Sequence, residues 1–107
     1  MYTMRGRIRY SETNASGSLP IAGILDYFQD CSVFQSEELG LGVKYLASRN
    51  RAWVLNSWQL EVKRFPKECE FVTVETWASG FHRFHGDRNY VMKAGGGETI
   101  AYANSIW

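Results

Sequence analysis

"RYSETNASGSLPIAGILDYFQDCSVFQSEELGLG", residues 9–42, is the stretch whose reading decides the fold. It leaves a β-forming run, crosses the polar turn Glu12-Thr13-Asn14-Ala15-Ser16-Gly17-Ser18, and enters a long helix with an apolar stripe. Ser18 is a plausible N-cap, with Pro20 in the first turn, where its missing N–H does no harm. Ile21, Ile24, Leu25, Phe28 and Cys31 then recur at three- and four-residue spacing, and Ser32 and Gln35 continue the face in more polar form. Asp26, Gln29 and Asp30 fall outside the stripe, and Gly40 and Gly42 end the pattern. Such a helix is marginal alone in water, so its apolar face needs a cover.

The rest of the chain supplies one. Residues 2–10 are β-formers alternating with Arg5, Arg7 and Arg9, an edge-type strand with one wet face. A short second helix is expected over Val43–Ser48. Strand-like runs follow at Ala52–Arg64, Phe71–Trp77, Arg88–Lys93 and Thr99–Trp107. Phe65-Pro66-Lys67-Glu68 reads as a turn, Ser79-Gly80 as a strand break, and Gly95-Gly96-Gly97 as a hairpin signal. The order strand, long helix, antiparallel meander predicts an α+β architecture, with a strongly curved antiparallel sheet wrapped around a central helix. The last run reaches Trp107 with no turn or polar tail, so the expectation is one domain, 1–107, cut within its final strand.

Composition narrows the function. Of 107 residues, 45% are hydrophobic and 21% charged, which excludes a disordered chain. A net charge of +1 gives no basic face for nucleic acid. No apolar run is long enough to span a membrane, and Met-Tyr-Thr-Met-Arg-Gly-Arg-Ile at the start is no signal peptide. Two cysteines, Cys31 in the helix and Cys69 in a turn, suit a reducing compartment, and a cytoplasmic location is expected. His82 and His85 form an HxxH without a further ligand nearby, so neither a metal nor a cofactor is expected.

The long stretch quoted above, then "AWVLNSWQLEVKRFP", "VTVETWASGFHRF" and "ETIAYANSIW", resembles the N-terminal half of acyl-ACP thioesterases, from about Arg7 to Trp107. The resemblance implies a hotdog fold. It implies hydrolysis of the thioester between a fatty acyl chain and acyl carrier protein, a step of fatty acid biosynthesis. It implies two hotdog domains in tandem, with a catalytic Asn and His on the second repeat and the acyl tunnel and chain-length selection on the first. This chain would then be the first repeat alone.

Many single-hotdog thioesterases carry a motif resembling D-x-D-x-x-G-H after the first strand. Here Gly17 matches the Gly, Asn14 stands where the catalytic Asp would be, Ser18 where the His would be, and Glu12 keeps an acid at the first position. An amide is not basic near neutral pH, so Asn14 cannot take a proton from water. Glu12 and Asn14 are therefore weak catalytic candidates, and turn-forming roles are the simpler reading. Glu37 and Glu38 read as an acid pair or a solvated helix end, and Asp26 and Asp30 as a wet stripe. His82 and His85, with Arg83 and Arg88, read as a pocket mouth or a surface turn. Leu25, Phe28, Trp53, Leu55 and Trp58 are the candidate tunnel lining, with plain core as the alternative. Lys44, Arg49, Arg51, Lys63, Arg64 and Lys67 are a candidate docking set for acidic acyl carrier protein. Two other functions fit the same residues: a free-standing homodimeric acyl-CoA thioesterase or dehydratase, and a non-catalytic acyl-binding module. Each reading predicts pairing with a second repeat or a second copy, because a lone hotdog sheet exposes an edge.

Overall fold

Alternating side chains make the first strand, β1 (Tyr2–Arg7): Tyr2, Met4 and Gly6 turn inward while Thr3, Arg5 and Arg7 are exposed. The computed structural model describes residues 1–38, 57–82 and 85–106. A 3-10 turn at Tyr10–Glu12 follows β1, then α1 (Ile21–Glu38), β2 (Ser57–Val62), β3 (Phe71–His82), β4 (His85–Ala94) and β5 (Thr99–Ile106). The strands form one antiparallel sheet in the order β1-β3-β4-β5-β2. The α+β expectation holds, and β1 is an edge strand.

Three details differ from the sequence reading. The meander comprises only β3, β4 and β5; β2 crosses to the far edge and pairs with β5. Ser79-Gly80 does not break β3, which runs on to His82 with a register shift between Ala78 and Gly80. A bulge absorbs the glycine while the ladder continues. Ser18 does not cap α1. It forms an isolated bridge with Lys67, and the helix begins at Ile21, with Ile24 N–H donating to Pro20 O at 3.1 Å. The expected second helix over Val43–Ser48, and Gly40 and Gly42, lie outside the described residues.

The core lies between α1 and the concave face of the sheet. Helix residues Ile24, Phe28, Cys31 and Ser32 are buried, at the spacing the stripe predicts. Ile21, expected on that stripe, is the first residue of α1 and is 52% exposed. Leu19 and Ile8 close the core from the two connections. Packed apolar area of this kind, at about 25 cal/mol per Å², is the main force holding helix to sheet. At the lower corner Arg64 grips Glu70 with two hydrogen bonds, of 3.0 and 2.6 Å, and reaches Glu98 at 3.4 Å. No helix among the described residues is long and apolar enough to cross a membrane.

Candidate functional site: the concave face and the polar turn

Strand register gives three of the rows that cross the concave face. The first joins Met4, Val74, Met92, Ala101 and Val62. The next joins Tyr2, Thr76, Tyr90, Ala103 and Leu60. The third joins Ala78, Arg88, Ser105 and Trp58. Polarity therefore rises from one end of the face to the other, and α1 follows the same gradient. Phe28 lies over Tyr90 with ring centroids 5.2 Å apart, Cys31 Sγ reaches Val74 O at 3.7 Å, and Gln35 Oε1 accepts from Arg88 Nη1.

Tyr90 is the centre of this arrangement. It is fully buried, its ring lies 4.9 Å from that of Trp58, and Ser105 Oγ donates to its hydroxyl at 3.2 Å. Phe28, Tyr90 and Trp58 thus make a continuous aromatic wall from helix to edge strand. Thr76 Oγ1 donates to Asn89 O at 2.9 Å, which satisfies a buried hydroxyl beside that wall. Burial pushes the Cys31 thiol up to about 11, with the Arg88 charge pulling the other way, so the thiol is neutral.

Of the five tunnel candidates, Phe28 is fully buried and Trp58 and Leu25 are half-buried. Trp53 and Leu55 lie outside the described residues. Tyr90, absent from the sequence-based set, is the residue that links Phe28 to Trp58. Its inward position in the Arg88–Lys93 run was legible as alternation, but its place between two other rings was not.

The polar turn is built for shape. Asn14 Oδ1 accepts from Ser16 N–H at 3.1 Å, from Ser16 Oγ at 2.7 Å and from Ser18 N–H at 3.2 Å. Its backbone N–H donates to Ser18 O at 2.9 Å, and Gly17 takes the left-handed φ of 78° that the turn requires. Glu68 N–H donates to Gly17 O, and Leu19 N–H to Pro66 O, which pins the turn to the loop before β3. Glu12 Oε1 accepts from Arg9 N–H and from the Tyr27 hydroxyl, each at 2.8 Å. Partial burial pushes the Glu12 carboxyl up, but these bonds and the Arg9 guanidinium outweigh it and hold the group below its usual range. The open groove beside the turn, about 630 Å³, is walled by Tyr10, Ser11, Thr13, Ser16 and Glu68. It faces solvent, not the aromatic wall.

The remaining candidates separate cleanly. Glu37 and Glu38 are exposed in the last described turn of α1. Asp30 is pushed up by burial and by the Asp26 charge, and both acids stand on the outer side of the helix. His82 and His85 face each other in register across the β3–β4 hairpin; their side chains, and Arg83, lie outside the described residues. Lys63 and Lys67 are exposed, and Arg64 is ion-paired with Glu70 and Glu98. Lys44, Arg49 and Arg51 lie outside the described residues.

Comparison with known proteins gives this geometry its lineage. The chain is 26% identical, over 94% of its length, to an acyl-[acyl-carrier-protein] hydrolase of Cuphea viscosissima named as chloroplastic, and covers 26% of that protein. It superposes on a Lactobacillus plantarum protein described as an oleoyl thioesterase, with a TM-score of 0.96 and 27% identity, covering 99% of this chain and 41% of that one. An acyl-ACP thioesterase from Bacteroides thetaiotaomicron superposes with a TM-score of 0.91 and 27% identity, covering 98% of this chain and 43% of that one. The fold is therefore the hotdog of these thioesterases. The chain spans about a quarter of the length of the curated relatives it matches. The family model for the acyl-ACP thioesterase N-terminal domain matches residues 1–107, and the chain belongs to that family.

Proposed function

We propose that the chain is the N-terminal repeat of a tandem double-hotdog enzyme that hydrolyses fatty acyl-ACP thioesters. Its part is to shape the substrate site; the groups that break the thioester lie on the other repeat. One observation carries this division: Asn14 and Glu12, at the positions where single-hotdog enzymes place acids, are both committed to holding the turn. Neither faces the apolar interior. A free-standing thioesterase would need one of them as a base, and an ionised Glu12 bound to Tyr27 and Arg9 is a poor one.

The acyl chain runs along the wall that Phe28 and Trp58 form, with Leu25 at its margin and Trp53 and Leu55 contributing from the segment before β2. Carrier protein, which is acidic, meets the cations Lys63 and Lys67 together with Lys44, Arg49 and Arg51. The second repeat, or a second copy, pairs with the open sheet edge. The two free cysteines fit a reducing compartment such as the cytoplasm.

The test is fatty acid release from a series of acyl-ACPs by the full-length protein. Glu12→Gln and Asn14→Ala are expected to retain turnover within about threefold, well short of the roughly 10²- to 10⁴-fold lost with a general base. No release from any acyl-ACP, or a loss on the base scale in either variant, overturns the proposal.

A further inference from the structure

The edge strand β1 turns Arg5 and Arg7 to the convex side of the sheet, roughly 6–7 Å apart along the chain. Arg7 stands opposite Phe71 on β3, and Arg5 opposite Thr73. Arg7 is fixed in place: Nε donates to Cys69 O at 2.9 Å, and the guanidinium lies 4.8 Å from the centre of the Phe71 ring. Phe71 is still 61% exposed, so the guanidinium covers only part of it. Arg5 has no hydrogen-bond or ion-pair partner among the described residues. The carboxylate on the same side of β3, Glu75, is held by Lys93 of β4 at 2.8 Å. Two cations that pair with no carboxylate and one uncovered aromatic ring therefore share an open face.

That combination suits an anionic lipid surface. Exposed arginines gain from phosphate headgroups, and an aromatic ring beside them settles at the boundary between headgroups and acyl chains. A folded protein partner instead binds by burying its anchors in fitted pockets. Arg5, Arg7 and Phe71 project side by side from the outer face of a sheet, as contact with a bilayer requires. They rise from the face of β1 and not from its hydrogen-bonding edge, so a further strand paired against that edge leaves them open.

We propose that the face formed by Arg5, Arg7 and Phe71 docks the protein on a bilayer that carries anionic phospholipid, with the guanidiniums on phosphates and the ring at headgroup depth. The contact goes beyond the thioesterase reading and does not rest on it. Under that reading it sets the enzyme at the surface into which a fatty acid partitions.

The experiment is cosedimentation of the full-length protein with sucrose-loaded vesicles, made of phosphatidylcholine alone or with about one-third phosphatidylglycerol. The mixed vesicles are expected to bind about tenfold or more tighter, and high salt should remove most of that gain. Arg5→Gln should weaken this binding about fivefold, and Arg5→Glu more, the scale of one arginine near an anionic leaflet. Arg5 has no contact to lose, so its variants read charge alone. Phe71→Ser should weaken binding to the mixed vesicles without changing its salt dependence. Lys63→Gln, beside the opposite sheet edge, should change binding by less than about twofold. Equal binding to neutral and anionic vesicles overturns the proposal, as does no binding to either. So does a loss with Lys63→Gln as large as that with Arg5→Gln, which would show a general charge effect. Vesicle binding that survives Arg5→Glu, in a variant that binds acyl carrier protein more weakly, would assign the face to an acidic protein and overturn it as well.

Discussion

Tyr27 donates a hydrogen bond of 2.8 Å to Glu12 Oε1, tying the first half of the central helix to the 3-10 turn that follows β1. The same hydroxyl lies 3.4 Å from Arg7 O, and Tyr27 passes so close to β1 that a Cβ at Gly6 would sit 3.4 Å from its ring. The contact makes Glu12 a brace between helix and turn. Burial and the Glu12 carboxylate together push the Tyr27 hydroxyl well above the usual tyrosine range, so it stays a donor.

Because Glu12 is held below its ordinary value of 4.5, it lends stability above that pH and loses it as pH falls through the lower folded value. Glu12→Gln should therefore cost about 1–2 kcal/mol at pH 7, and the gap to the parent should close below about pH 4.5. Urea midpoints across pH 3–7 measure this. A gap that is constant with pH would show that the charge is irrelevant.

Tyr90 is held by two rings and one hydroxyl. Tyr90→Phe keeps the stack and leaves Ser105 Oγ without this contact, at an expected cost of about 1 kcal/mol. Tyr90→Ala opens the middle of the core and should cost about 3–5 kcal/mol. Equilibrium denaturation of the full-length protein reads both.

Gly23 is a packing glycine. A Cβ there would stand 2.4 Å from Leu19 Cδ1 and 2.9 Å from Leu19 Cγ, and Leu19 is fully buried. Alanine gains about 1 kcal/mol of helix propensity but must displace Leu19 from a filled core, at about 1–3 kcal/mol. Gly23→Ala is expected to lower the melting temperature. Gly23→Ala combined with Leu19→Val should recover part of the loss.

The two thiols should separate by rate. Cys69 is exposed, whereas Cys31 is buried with its thiol raised to about 11. At pH 8, Ellman's reagent should modify Cys69 promptly and Cys31 only as fast as the core opens, with both reacting at once in denaturant. Prompt reaction of Cys31 in the native protein would contradict its place under the sheet.

The central helix, the edge strand β1 and the glycine hairpin between β4 and β5 were all legible in the chain, because each rests on local periodicity or turn chemistry. The weakness of the catalytic turn was legible too: an amide at position 14 cannot act as a base in any fold. What Asn14 does instead was visible only in three dimensions, as one oxygen gathering three donors. The ion pairs of Arg64 were hidden for a related reason. Its partners, Glu70 and Glu98, come from loops 6 and 34 positions away.

By itself the amino-acid order determined the element types, the α+β class and the family, since these follow from side-chain period and from residue identities read along the chain. Only the tertiary structure decided that β2 leaves the meander for the far edge, that Tyr90 joins Phe28 to Trp58, and that Arg88 stands on the inner face bonded to Gln35 and Thr76. The physical reason is that strand order and cross-strand register are long-range choices. They are set by how the whole sheet closes on the helix, and no local stretch of residues encodes them.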